Sequence, residues 1–168
     1  MTDRLYWPIW FCAALLTGIV AGFMLGHALI LARFIDWLLL SGTPSLGQAY
    51  AAFRASAGRA GLAGYYAVAG LQVIGTSAFL IVSLAARRHR TAALVAGLAG
   101  ALWVAVHYAS GFGVLEARVV RAGGEIPREV AGRFVDWNVP IHLFHAGTLA
   151  VALGALLSVP LAALRQKG

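Results

Sequence analysis

The residues of this chain best suited to chemistry are four histidines, His27, His107, His142 and His145. All four fall in stretches apolar enough to cross a bilayer, where an ionisable side chain is costly and usually marks a cofactor, a proton path or an ion path. His142 and His145 stand three residues apart, so on a helix they share one face about one turn apart, a spacing used by two ligands to one metal. Imidazoles with one or two carboxylates suit copper, iron or zinc, whereas calcium or magnesium would need more oxygens. A haem b needs one or two axial histidines from facing helices and an apolar slot lined by small residues, which Gly26, Gly100, Gly111 and Gly147 could supply. Direct ligation uses three or four of the histidines at one point. Haem uses two and leaves the others for propionate or substrate contacts.

Acids and amides ring the same end. Asp36, Glu116 and Asp136 are expected near the ends of the first, third and fourth spans, with Asn138 one helical turn before His142. Such groups can bond the second nitrogen of a ligand histidine and fix its tautomer. They can also pair with Arg33, Arg118 or Arg133, as surface acids commonly do. Glu116 and Asp136 are the candidates for a catalytic proton acceptor. Tyr65, Tyr66 and Tyr108 fall at similar depth and could donate hydrogen bonds to a substrate, or act only as interfacial tyrosines.

The elements that must position these groups follow from composition. The chain has 168 residues, 61% hydrophobic and only 11% charged, against about 25% charged in ordinary soluble domains. Its mean hydropathy is +0.81. This is the composition of an integral membrane protein. Four apolar stretches, about 8–32, 62–86, 91–112 and 138–163, each reach the roughly 20 residues needed to cross the hydrocarbon core. The expected fold is an all-α four-helix membrane bundle forming a single domain over residues 1–168, the first stretch being a retained span. With alternating directions, His27, His107 and His142 come to roughly 7–9 Å below one interface and His145 to about 13 Å, at 1.5 Å per residue. One layer can therefore hold all four.

Two long connections, about 33–61 and 113–137, lie on the histidine side. On the other side, Arg87-Arg88-His89-Arg90 makes a short turn in which His89 reads as a topology residue. In the first connection, Phe34 to Leu40 either prolong the first helix or lie along the interface until Gly42-Thr43-Pro44 breaks the run, and Leu46 to Arg59 reads as a surface helix. The second connection, with Gly123-Gly124 and Pro127, reads as a solvated cap. Gly18, Gly22 and Gly26 form two GxxxG steps, suited to a homodimer face or to close packing inside the bundle. The tryptophans mostly mark interfaces, with Trp103 deeper.

The net charge of +7 serves topology and headgroup contact here, not nucleic acid. Arg4, Arg87, Arg88, Arg90, Arg165 and Lys167 crowd the side of the termini and the short turn against the one acid Asp3. The opposite side dilutes Arg33, Arg54, Arg59, Arg118, Arg121, Arg128 and Arg133 over longer, partly acidic loops. Both termini are therefore expected in the cytoplasm, and the histidine layer near the non-cytoplasmic face of a membrane such as the bacterial inner membrane. Cys12 is the sole cysteine, so no intrachain disulfide forms.

The glycine-rich first span, the charged stretch leading to Trp137-Asn138, and the small-residue run Ala146-Gly147-Thr148-Leu149-Ala150 together resemble the anthrone oxygenase-like family of small membrane proteins. Val139-Pro140-Ile141-His142 stands where that family has a basic residue, and Ser110 to Glu116 replaces its Asn-rich segment. The resemblance implies oxidation chemistry on a hydrophobic molecule and nothing finer. Three readings follow. The first is a membrane oxidoreductase with a histidine-held copper or iron and a lipophilic substrate. The second is a b-type haem protein passing electrons to a partner, and the third a non-catalytic subunit of a larger membrane complex. Transport is disfavoured, because the spans contain no paired broken-helix repeat.

Overall fold

The computed structural model describes residues 2–41, 43–121 and 126–165, and is all α-helical over them. Seven α-helices and one π-helical turn follow one another: α1 (Thr2–Gly26), the π turn (His27–Leu31), α2 (Ala32–Leu40), α3 (Pro44–Ala55), α4 (Ala57–Ala86), α5 (Arg90–Ala109), α6 (Phe112–Arg121) and α7 (Arg128–Arg165). Gly123-Gly124 and Lys167 lie outside the described residues, as do the side chains of Asp3, Arg59 and Arg165.

Four helical stretches are long and apolar enough to cross a membrane: Arg4–Leu40, Ala63–Ala86, Arg90–Ala109 and Arg128–Leu164. Between 22% and 28% of their most apolar windows is buried within the bundle. Large apolar side chains face outward over much of the remainder, including Ile30, Ile74, Ile81 and Leu98. Such a surface is stable only against hydrocarbon, and this is a membrane protein.

The first and last spans run to 37 residues each, well past the expected 8–32 and 138–163. At 1.5 Å per residue that is about 55 Å against roughly 30 Å of hydrocarbon, so both protrude, and at the same end of the bundle. The reason is local. Phe34 to Leu40 continue the helix without a breaker, and Pro127 directly precedes the first turn of α7, where a missing N–H costs nothing. The expected solvated cap at 128–137 is therefore helix, and the same connection holds α6. The protruding ends, α3 and α6 bury a core of their own: Ile35, Tyr50, Phe112, Val119, Phe134 and Ile141.

The spans pack around a ring in the order α1, α4, α5, α7. Small residues set the distances. A Cβ at Gly100 would lie 2.8 Å from Thr76 Oγ1 and 2.9 Å from Gln72 Nε2, so α5 sits against α4 with no room for a side chain there. Gln72 ties three helices together: Trp103 Nε1 donates to its Oε1 at 3.1 Å, and its Nε2 donates to Thr17 Oγ1 at 3.4 Å. Pro160 inside α7 leaves the carbonyl of Leu156 without its helical N–H. The indole of Trp10 donates to that oxygen at 2.8 Å, joining α1 to α7. Of the GxxxG glycines, only Gly18 has a neighbour, Leu153 at 4.0 Å from its would-be Cβ, while Gly22 and Gly26 meet open space. Packing inside this bundle does not account for those two.

Candidate functional site

The π turn places the first histidine. Along the first helix the buried residues Val20, Met24, Ala28 and Ala32 recur every four positions. In an α-helix four residues turn about 400°, so such a line drifts by about 40° at each step. The wider π turn at His27–Leu31 takes up this drift and keeps the line facing inward. His27, one position before Ala28, is thereby held against α7, its ring stacked on that of His142 with centroids 3.9 Å apart.

Asn138 organises the facing helix. It is fully buried, and its Nδ2 donates to Asp36 Oδ1 at 2.7 Å and to the carbonyl of Ala32 at 3.2 Å. Its own carbonyl oxygen lies 2.6 Å from His142 Nδ1. A carbonyl can only accept, so Nδ1 of His142 carries the proton and Nε2 keeps a free lone pair. Asn138 Oδ1 and His27 Nδ1 are both buried without a hydrogen bond of ordinary geometry, although the amide is within electrostatic reach of the ring.

The four histidines do form one layer. His145 lies 5.7 Å from His142 and 5.6 Å from His107, centroid to centroid, and 5.5 Å from Trp103 in an edge-to-face arrangement. It is fully buried, and neither ring nitrogen has a partner. The rings step past one another instead of converging: among the described residues no three His, Cys, Asp or Glu side chains are grouped as a metal ion would require.

A cavity of about 920 Å³ opens beside this layer, lined by His27, His107 and His142 but not by His145. Its apolar wall includes Phe23, Met24, Val73 and Ile74, and Trp103, Tyr65, Tyr66 and Tyr108 add aromatic surface. At its capped end stand Arg54 and Glu116, joined Nη2 to Oε1 at 3.1 Å. The other carboxylate oxygen, Oε2, lies 3.8 Å from His107 Nε2. Burial pushes the phenol of Tyr50 up to about 12, so it stays neutral, its ring 5.9 Å from the Arg54 guanidinium carbon.

Glu116 and Asp136 separate here. Glu116 lines the cavity and pairs with Arg54, not with Arg118. Asp136 is exposed and borders no part of the cavity, because α7 turns it away from the face that carries Asn138 and His142. None of Gly26, Gly100, Gly111 or Gly147 lines the cavity: Gly100 is filled by Thr76 and Gln72, and Gly111 serves a turn with φ of +80°. Arg54 is the residue that charge counting assigned to topology and the fold assigns to the site. A basic residue placed after Ala51, Ala52 and Phe53 on a short amphipathic helix was its available signal.

Comparison with family models, with curated proteins and with solved structures finds no match for this chain.

Proposed function

We propose that the protein is an integral membrane oxidoreductase that oxidises a lipophilic molecule held in the cavity, beside a redox metal, copper or iron, on the histidine layer. The observation that carries this reading is the cavity itself, whose size lies in the range of small-molecule sites and whose apolar walls end on three histidines and a carboxylate. The free Nε2 of His142 and the unpartnered nitrogens of His145 support it as donors, since buried imidazole nitrogens without partners are the groups a metal would satisfy, and the two rings, 5.7 Å apart, would have to turn toward one another to share one ion. The metal would supply one-electron chemistry with dioxygen as final oxidant. His107 accepts the proton released by the substrate and passes it to Glu116 across the 3.8 Å gap, Arg54 holding that carboxylate in place. The density of arginine at the Arg87–Arg90 turn supports an orientation with both termini in the cytoplasm and the cavity toward the opposite face, in keeping with a bacterial inner membrane.

The test is elemental analysis with an absorption spectrum on detergent-purified protein kept free of chelators. Copper or iron near one per chain without a Soret band, lost in both His142→Ala and His145→Ala while the helical signal is kept, is the expected result. Normal metal content in both variants overturns it. A Soret band with iron assigns the cavity to haem b, with the histidines that line it as the residues that would hold it. Neither metal nor band indicates the accessory subunit of a larger complex. In a metal-loaded protein, Glu116→Gln slows oxygen consumption supported by a lipid extract by about a hundredfold.

A further inference from the structure

Among the described residues, Arg54 is the aspartate, glutamate, lysine or arginine with a buried side-chain atom left without a hydrogen-bond partner. Its side chain is 11% exposed, one end is bound to Glu116, and its Nε is buried with no hydrogen-bond partner. The Nε is closed off, but the remaining N–H groups of the guanidinium make one hydrogen bond among the described residues, to Glu116, and a charged donor left so short of acceptors at an apolar cavity points to a polar group that completes it from the cavity side. Arg54 lines the cavity. From these facts we infer that the cavity takes an amphiphile whose uncharged oxygen, a carbonyl or hydroxyl, accepts from Arg54, while its hydrocarbon part lies along Phe23, Met24, Val73 and Ile74. The assignment rests on the reading of the cavity as a substrate site and names the class of molecule it holds.

Charge argues for an uncharged head. The guanidinium is already neutralised by Glu116 at 3.1 Å, so a carboxylate or phosphate on its cavity side would place a second anion beside that carboxylate in a poorly solvated space. A neutral oxygen gains the charge-assisted bond without that repulsion.

The route in is lateral. Ile74 lies eleven residues into the span that begins at Ala63, about 16 Å from its end and so at hydrocarbon depth. It is 64% exposed on the bundle surface and also lines the cavity. Phe23 on α1 does the same. A rim with both properties opens the cavity between the first and second spans to the acyl chains. The ligand enters from the bilayer, tail and head together, and its head reaches Arg54 under the cap.

Bromine quenching of Trp103, which lines the cavity, reads this directly; subtracting the Trp103→Phe signal removes the four other tryptophans. The probes are a dibrominated stearic acid methyl ester, the free acid, the dibrominated hydrocarbon of the same length, and a dibrominated phosphatidylcholine, each added to protein in nanodiscs. The expected result is saturable quenching by the ester at concentrations at least tenfold below those of acid or hydrocarbon, with the preference lost in Arg54→Gln. Tighter binding of the acid overturns the uncharged head. Equal quenching by ester and hydrocarbon, or an unchanged preference in Arg54→Gln, removes Arg54 from recognition. Quenching by phosphatidylcholine at its bulk fraction assigns the space to ordinary lipid and overturns the site. Binding is read without turnover, so the ester result stands even where no metal is found, and a metal-loaded protein that ignores the ester sinks this assignment alone.

Discussion

Asn138 is where one side chain does most to join the two long helices, since it holds the Ala32 carbonyl, the Asp36 carboxylate and, through its own carbonyl, the ring of His142. Asn138→Asp sets two carboxylates 2.7 Å apart and strips the Ala32 carbonyl of its donor. It should lower stability by about 2 to 4 kcal/mol, measured as loss of thermal midpoint in detergent. Adding Asp36→Asn restores a donor to that pair but none to Ala32, so the double variant should recover only part of the loss. Additive losses would show that the two residues do not share a bond. The sequence made the histidine layer and Asn138 visible, because both are polar in an apolar setting. It did not reveal which acid would face inward. Glu116 and Asp136 look alike until the rotation of α6 and α7 is known, and rotation is set by packing that no spacing records.

At the scale of helices, the contact of α4 with α5 depends on Gly100. Gly100→Ala places a methyl 2.8 Å from Thr76 Oγ1 and 2.9 Å from Gln72 Nε2. The expected cost is about 1 to 3 kcal/mol, with the Trp103 emission altered because its indole N–H loses a fixed acceptor. The turn at the other end offers the opposite effect. Arg87 ends α4 at φ of 56°, a left-handed conformation that costs a residue with a Cβ about 1 kcal/mol. Arg87→Gly should therefore raise the thermal midpoint, and an unchanged or lower midpoint would mean that the arginine side chain contributes as much as the strain removes. Span number and order were legible from hydropathy alone, since four apolar runs separated by charge admit little else. Span length was legible only in part: Phe34 to Leu40 already read as a prolongation of the first helix or an interfacial run, whereas residues 128–137, with two arginines and two acids, carry the composition of a loop and turn out to be an amphipathic piece of the cap core.

For the molecule as a whole, the bundle and its cap divide the work: the bundle supplies the histidines, the cap closes over them with Arg54 and Glu116. The orientation proposed from arginine density is open to a direct check. In a Cys12→Ala background, Ser45→Cys should react with an impermeant maleimide on intact cells, while Arg90→Cys should react only after the membrane is opened; the reverse pattern would place the cap in the cytoplasm. The π turn stands at the joint between bundle and cap, and it works there as an angular adjustment between two rigid bodies. One residue removed from Leu29 to Leu31 would let the wide turn close as ordinary helix through nearly the same total rotation, whereas one residue removed from the regular helix just before it, between Val20 and Gly26, would swing α2 by about 100° about its axis. Hydropathy, length and composition would hardly change in either case, yet only the second deletion would take Ile35 and Asp36 from their partners on α7 and cost the cap its seat. The π turn is thus a stretch of slack in the joint, where the alignment of the two halves survives the loss of a residue.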